Sequence, residues 1–196
     1  MRKIIKVLLG VVVFAAPLLA QDQAEAARTA AGCGANETQF TVKRDKKQHP
    51  TAQPDAGKAL VYVFGDEDID NVTLRVGSAI TRWGLDGTWV GASDWKSYFY
   101  FAAEPGDHRL CIRRQSSFKS ITKISAALSF TAEAGKVYYF RARTPHHSTQ
   151  APHSPEGIVE LVAVDPAEAQ LLIANSPFSV SRPKPAESST ADGDNR

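Results

Sequence analysis

The sequence is poor in the residues on which stapled or metal-built domains depend. Two cysteines in 196 residues are too few for a disulfide-dense miniprotein or a four-cysteine zinc site. Charge of one sign is also scarce. There are 23 Lys+Arg against 21 Asp+Glu, a formal +2, which excludes a nucleic-acid binder working by counterion release from a clustered basic excess. Gly-x-Ser-x-Gly, His-Glu-x-x-His, a P-loop and Gly-x-Gly-x-x-Gly are all missing, so no motif implies a nucleophilic elbow, a metalloprotease helix or a nucleotide cofactor. No internal repeat occurs, and no pattern specifies an oligomeric state. What remains is a globular composition, 43% hydrophobic and 22% charged.

Residues 1–20 read as a secretory signal. Arg2, Lys3 and Lys6 form a positive start, Val7 to Ala16 is apolar apart from Gly10, and Pro17-Leu18-Leu19-Ala20 ends on small and apolar residues. A membrane anchor is the alternative, but the apolar stretch is about 14 residues long where roughly 20 are needed to span a bilayer. Ala31-Gly32-Cys33 resembles the end of a lipobox. Asp22, Glu25 and Arg28 separate it from the apolar run, whereas a lipobox abuts that run. Membrane association is therefore expected only if Cys33 is lipidated. Without residues 1–20 the chain has 20 Lys+Arg against 21 Asp+Glu, so the faint basicity belongs to the signal.

Residues 21–56 read as an extended tail, because Lys43 to Pro54 has charge and proline but few apolar side chains to bury. Residues 182–196 read as a disordered C-terminal tail. The folded domain is then residues 57–181. Within it, short segments recur between turn signals. Leu60 to Phe64 is continuously apolar, as a central strand would be. Val72, Leu74 and Val76 alternate with polar residues. Asp86-Gly87 between Ile80–Leu85 and Thr88–Ala92 is a hairpin signal, because both central turn residues must reach positive φ. Further alternation appears at Phe99/Phe101, Leu110/Ile112, Ala126/Leu128/Phe130, Tyr138/Phe140/Ala142 and Ile158–Val164. One short helix follows, with Asp165 as N-cap, Pro166 at its first position and Glu168 in a capping-box position, ending near Asn175. The pattern predicts an all-β fold: an antiparallel β-sandwich of about seven to nine short strands with one short C-terminal helix.

Five ordered segments carry a resemblance. They are Gly57-Lys58-Ala59-Leu60-Val61-Tyr62-Val63; Leu85-Asp86-Gly87-Thr88-Trp89-Val90-Gly91; Ser97-Tyr98-Phe99-Tyr100-Phe101; Glu104-Pro105-Gly106-Asp107-His108-Arg109-Leu110-Cys111; and Phe130-Thr131-Ala132-Glu133-Ala134-Gly135-Lys136-Val137-Tyr138-Tyr139. From about Gly57 to Val164 the chain resembles the bacterial family known as domain of unknown function 2846. The Pro-Gly-x-His-x-Leu piece also looks like PEGA-type surface β-domains. The resemblance implies an exported compact β-sandwich of the kind found on lipoproteins and envelope proteins, and it implies no catalytic residue. The absence of a properly placed lipobox departs from the lipoprotein members.

Export would place Cys33 and Cys111 in an oxidising compartment, where a pair tends to join. Cys111 shares a strand face with Arg109 and Arg113, opposite Leu110 and Ile112, so a tail carrying Cys33 could cross the outer face to reach it. Closing so long a loop stabilises by up to about 4 kcal/mol in the chain-entropy model. Two free thiols and a lipidated Cys33 are the alternatives. Trp83, Trp89, Trp95, Tyr98 and Tyr100 cluster around the hairpin and could form a stacking face for sugars or apolar peptide side chains; packing into the core is the blander reading. His146, His147 and His153 lie in a polar loop without metal-ligand spacing, and His108 after a turn reads as a local hydrogen-bonding or packing residue. Asp66, Glu67, Asp68 and Asp70 lack calcium-loop spacing. No metal site is assigned.

Arg109, Arg113, Arg114, Lys119, Lys123, Arg141 and Arg143 would gather into an anion-binding face if the strands around Leu110 and Tyr139 were neighbours. The expected protein is therefore a non-enzymatic, exported, periplasmic or extracellular module with a structural or binding role in the cell envelope. Its expected partner is an envelope glycan or protein, not nucleic acid, and it needs no cofactor. The alternatives are a carbohydrate- or peptide-binding domain using exposed Trp and Tyr, and a hydrolase whose site is assembled from scattered residues.

Overall fold

The computed structural model describes residues 33–65, 80–117, 125–143 and 159–184. The signal at 1–20, Asp66 to Asp70, Val72 to Val76, Lys119, Lys123, His146, His147, His153 and the tail beyond Lys184 lie outside the described residues.

Among the described residues ten strands and one helix follow in chain order: β1 (Phe40–Asp45), β2 (Ala59–Phe64), β3 (Ile80–Leu85), β4 (Thr88–Ser93), β5 (Tyr98–Ala103), β6 (Gly106–Gln115), β7 (Ser125–Ala132), β8 (Val137–Arg143), β9 (Glu160–Ala163), α1 (Pro166–Asn175) and β10 (Phe178–Pro183). They form a six-stranded sheet in the order β1-β10-β5-β2-β8-β9 and a four-stranded sheet in the order β4-β3-β6-β7. The fold is an all-β sandwich, and most pairings are antiparallel. Two are parallel, β2 with β8 and β5 with β10.

The architecture follows from β2. All six of its residues are buried, because it sits between β5 and β8 with a layer on each face. Val61 and Val63 point into the core shared by the two sheets, with Trp83, Phe99, Leu110, Ile112 and Phe140. Leu60, Tyr62 and Phe64 point the other way, toward Tyr98 and toward Leu172 and Ile173 of α1. A strand covered on both faces cannot alternate apolar with polar residues, which is why this stretch reads as a continuous apolar run.

The helix is positioned as its sequence predicts. The Asp165 carboxylate accepts from the N–H groups of Ala167 at 2.9 Å and Glu168 at 3.0 Å, satisfying two of the first turn's free donors. The Glu168 carboxylate accepts from Arg141 Nη1 at 2.8 Å, which ties the first turn of α1 to β8. On the same side, the Tyr98 hydroxyl donates to the Pro50 carbonyl at 3.0 Å, and the Tyr62 hydroxyl accepts from the Ala52 N–H at 2.8 Å. The polar stretch 50–52 is thereby held against the sheet.

Two strands extend the sheet past the residues 57–181 expected to fold. β1 falls in the stretch read as a tail, and β10 runs on to Pro183. Along β1 only Phe40 is buried, so its strand state comes from pairing with β10, residue for residue from Phe40↔Pro183 to Asp45↔Phe178. An ion pair from Arg44 to Asp94 at 3.2 Å adds to it. Nothing in apolar alternation signals a strand whose order is supplied by its partner.

Cys33 and Cys111 are joined by a disulfide, with Cα atoms 5.5 Å apart and 78 residues of sequence separation. Replacing both cysteines by alanine is expected to lower stability by about 3 kcal/mol, read as a lower guanidinium midpoint at unchanged slope. An unchanged midpoint would show that the bridge does not constrain the unfolded chain.

Candidate functional site

The five aromatic residues proposed as a stacking face are not brought together. Trp83 has no exposed surface and lies in the core between the sheets, its Nε1 donating to Ser93 Oγ at 2.9 Å. Tyr98, equally buried, and Tyr100 lie on the α1 side of the six-stranded sheet, packed with Tyr62 and Phe178. Trp95 sits in the β4–β5 turn with the Lys96 ammonium 5.3 Å from its ring centre. Trp89 alone reaches the outer side of the four-stranded sheet. Apart from Trp95, these residues fall in segments that alternation marks as strands, but alternation carried no information about which strand face another layer covers.

Trp89 belongs to a different structure, a strap formed by residues 33–39 that lies across the outer face of the four-stranded sheet. The strap touches β3 so closely that a Cβ at Gly84 would stand 2.0 Å from the Cys33 carbonyl oxygen. The Cys33–Cys111 bridge fixes one end. Arg82 of β3 fixes the middle, its Nη1 donating to the carbonyls of Thr38 at 2.6 Å and Asn36 at 3.1 Å. Arg113 of β6 donates to Asn36 Oδ1. Gln115 closes the far end: its Oε1 accepts from Phe40 N–H at 2.8 Å and its Nε2 donates to Phe40 O at 2.8 Å. The Trp89 indole N–H donates to the Ala35 carbonyl at 2.8 Å, and the Arg82 guanidinium lies 4.6 Å from the ring centre. Gly34, at φ +134°, packs against the same ring, where a Cβ would come within 2.7 Å.

Arg82 is 4% exposed. Burial, and then the charge of neighbouring Arg113, lower its pKa. The partners the structure gives it are two carbonyls and a ring face, with no carboxylate among the described residues. One nitrogen, Nη1, serves both carbonyls, so this buried cation is held by neutral acceptors and by the face of the Trp89 ring.

The strap also forms one wall of a cleft of about 450 Å³. Thr38 and Phe40 line one side, the hairpin residues Gly87 to Gly91 the floor and opposite side, and Ser181 and Pro183 of β10 the end. None of the lining side chains among the described residues is ionisable. The cleft lies between the edge strand β4 of one sheet and the β1–β10 edge of the other. At the other end of β4 the gap is closed by serines. Ala92 N–H donates to Ser181 Oγ at 3.0 Å and Asp94 N–H to Ser179 Oγ at 3.4 Å.

The hairpin tip beside the cleft is anchored by a carboxylate and an imidazole. Asp86 and Gly87 take φ 50° and 80°, the left-handed pair that the sequence predicts for this turn. Asp86 Oδ1 accepts from Arg109 N–H at 2.8 Å, and Oδ2 accepts from His108 Nδ1 at 2.6 Å. His108 Nε2 lies 2.6 Å from the Glu104 carbonyl oxygen, and its ring lies 5.6 Å from Phe130. Burial alone would raise the Asp86 carboxyl, but the Arg109 N–H and the His108 bond and charge outweigh it and hold it below its ordinary value.

Among the described residues the basic face does not assemble. The strands around Leu110 and Tyr139, β6 and β8, belong to different sheets. Arg113 is under the strap, Arg114 is buried and donates to Thr81 Oγ1 at 2.7 Å, and Arg141 and Arg143 pair with Glu168 and Glu160. Among the described residues no three His, Cys, Asp or Glu side chains are grouped to hold a metal ion. The residues that sequence reasoning missed are Arg82, Gln115 and Ser181. Only Gly84 inside a strand signalled a close backbone approach.

Over residues 55–154 the chain matches the family model described as "Protein of unknown function (DUF2846)". No curated protein matches it.

Replacing Arg82 by alanine strips the donors from two strap carbonyls and uncovers the Trp89 ring. The expected loss is on the order of 2–3 kcal/mol, read from the urea midpoint. Lysine at this position restores less than half of it, because an ammonium has no planar face to lay against the Trp89 ring. A change within about 0.5 kcal/mol for the alanine variant would show the strap to be held without Arg82.

Proposed function

The chain belongs to the DUF2846 family, and from that premise we propose that it is an exported, non-enzymatic module of the bacterial cell envelope whose ligand site is the cleft between β4 and the β1–β10 edge. The observation that carries the reading is the cleft itself. It is open, set between two sheet edges, and lined by backbone, hydroxyl and apolar groups with no ionisable side chain. Such a lining suits an uncharged segment of an envelope polymer, met by the hydroxyls of Thr38, Thr88 and Ser181 and by the apolar surface of Val90 and Pro183.

Export is supported by the basic start and apolar run of residues 1–20 and by the Cys33–Cys111 bridge, which fits an oxidising compartment. Among the described residues no helix is long and apolar enough to cross a membrane. A binding role is favoured over a hydrolase with a scattered site because, among the described residues, the cleft is lined by no carboxylate, imidazole or thiol for nucleophilic or acid–base work. Arg82 and Gly34 already pack on the Trp89 ring, so the indole serves as a wall of the cleft and not as an open stacking platform.

Titration of the ¹⁵N-labelled protein with neutral envelope glycan fragments, and in a second arm with uncharged peptides, tests the reading. The expected result is movement of the Thr88, Val90 and Gly91 amides and the Trp89 indole signal, with the Trp83 indole unmoved. Spectra unchanged at millimolar ligand in both arms would overturn it.

A further inference from the structure

His108 is 10% exposed, and both of its ring nitrogens face groups that can only accept. Nδ1 is 2.6 Å from the Asp86 carboxylate and Nε2 is 2.6 Å from the Glu104 carbonyl. A neutral imidazole has one N–H and one lone pair, so in that form one of the two contacts sets a lone pair against an oxygen. Only the imidazolium, with two N–H groups, satisfies both partners. The Asp86 end of this bridge is the first residue of the hairpin turn, and the next residues, Gly87, Thr88 and Trp89, line the cleft.

We propose that His108 is a protonation latch on the cleft. As imidazolium it ties the Asp86-Gly87 turn to the β5–β6 turn and holds the cleft's hairpin wall in place; on losing a proton it keeps only one of the two bonds, the tie between the turns is cut, and the wall is left to the Asp86–Arg109 bonds alone. The proposal rests on the cleft being the ligand site, and it adds a regulator to that site.

The groups facing His108 from each neighbouring element are consistent in sign. The β3–β4 turn presents Asp86. The β5–β6 turn presents the Glu104 carbonyl, while the Glu104 carboxylate is held by Lys58 at 2.8 Å. On β6 itself Asp107 is adjacent, its Oδ1 accepting from Thr131 Oγ1 at 2.6 Å. The neighbouring Arg109 contributes its backbone N–H to Asp86. From β7 comes the uncharged face of Phe130, backed by Tyr138 at 5.4 Å. Burial alone would lower the pKa of His108, but the hydrogen bonds to Asp86 and Glu104 and the charges of Asp86 and Asp107 raise it above 6.5. A group raised in the folded state stabilises it fully below the unfolded value. That contribution is lost as pH rises through the folded value. The latch is therefore closed in mildly acidic surroundings and opens toward alkaline pH, in a window that begins near 6.5.

The test needs no ligand, so its failure is separable from failure of the binding reading. The full chain is titrated from about pH 5 to pH 9, a range bracketing the ordinary histidine value, while NMR follows the His108 ring nitrogens, the Gly87 and Thr88 amides and the Trp89 indole. The expected result is a His108 midpoint above 6.5, with the hairpin signals moving at the same midpoint. In His108→Gln the hairpin signals lose that midpoint. Should that variant fail to fold, Asp86→Asn serves instead and is expected to lower the His108 midpoint by on the order of one pH unit. A His108 midpoint at or below 6.5, hairpin signals that stay still across it, or an unchanged hairpin midpoint in either variant would overturn the proposal.

Discussion

A chain segment that leaves one sheet to lie over the other must find partners for its backbone groups, or it will not stay there. The strap meets that requirement with side chains. Arg82 takes two of its carbonyls, Trp89 a third, and Gln115 both backbone groups of Phe40. The Cys33–Cys111 bridge fixes the remaining end. Everything distinctive on this side of the molecule depends on that arrangement. The strap delivers the chain into β1, β1 completes the six-stranded sheet through β10, and the space left between β1, β10 and the edge of β4 is the cleft.

The core depends less on special contacts. β2 is covered on both faces, by the second sheet on one side and by α1 with the tyrosine cluster on the other. Apolar burial of that extent is the ordinary driving force for a domain of this size. Where polar chain must cross the α1 side, Tyr62 and Tyr98 supply hydroxyls at the rim of an otherwise apolar layer. Burial, with Tyr62 and Tyr100 nearby, holds the Tyr98 phenol above its ordinary value, so it stays a donor to Pro50. The molecule thus has two kinds of order: a core set by burial, and an outer strap set by directed bonds.

That division explains what could be read without coordinates. Segments that bury a face announce themselves by period, and the central strand, the Asp86-Gly87 hairpin, the paired strands around Leu110 and Phe130 and the helix capped by Asp165 all lie where the pattern puts them. β1 and β10 show only the short alternations Phe40/Val42 and Phe178/Val180, with Val180 exposed, and their order comes from pairing with each other. The aromatic residues misled for a related reason. A Trp on a strand signals β-structure and burial, and Trp83 and Trp89 have the same local signature although one fills the core and the other holds a strap. The pairing of Cys33 with Cys111 was legible because only two thiols exist. The role of Arg82 was not, because its partners are backbone carbonyls, which carry no sequence identity.

The strap and the hairpin tip meet at the cleft from opposite sides, one fixed by a covalent bond and a buried guanidinium, the other by an imidazole and a carboxylate. The shape of the cleft is therefore set by a few replaceable contacts outside the core. Backbone hydrogen exchange of the intact protein before and after reduction of the disulfide tests this most directly. Reduction is expected to remove protection from Phe40–Asp45 and from the Thr88–Gly91 edge while β2, β5 and β8 remain protected. Equal protection in both states, or loss of protection everywhere at once, would contradict the account.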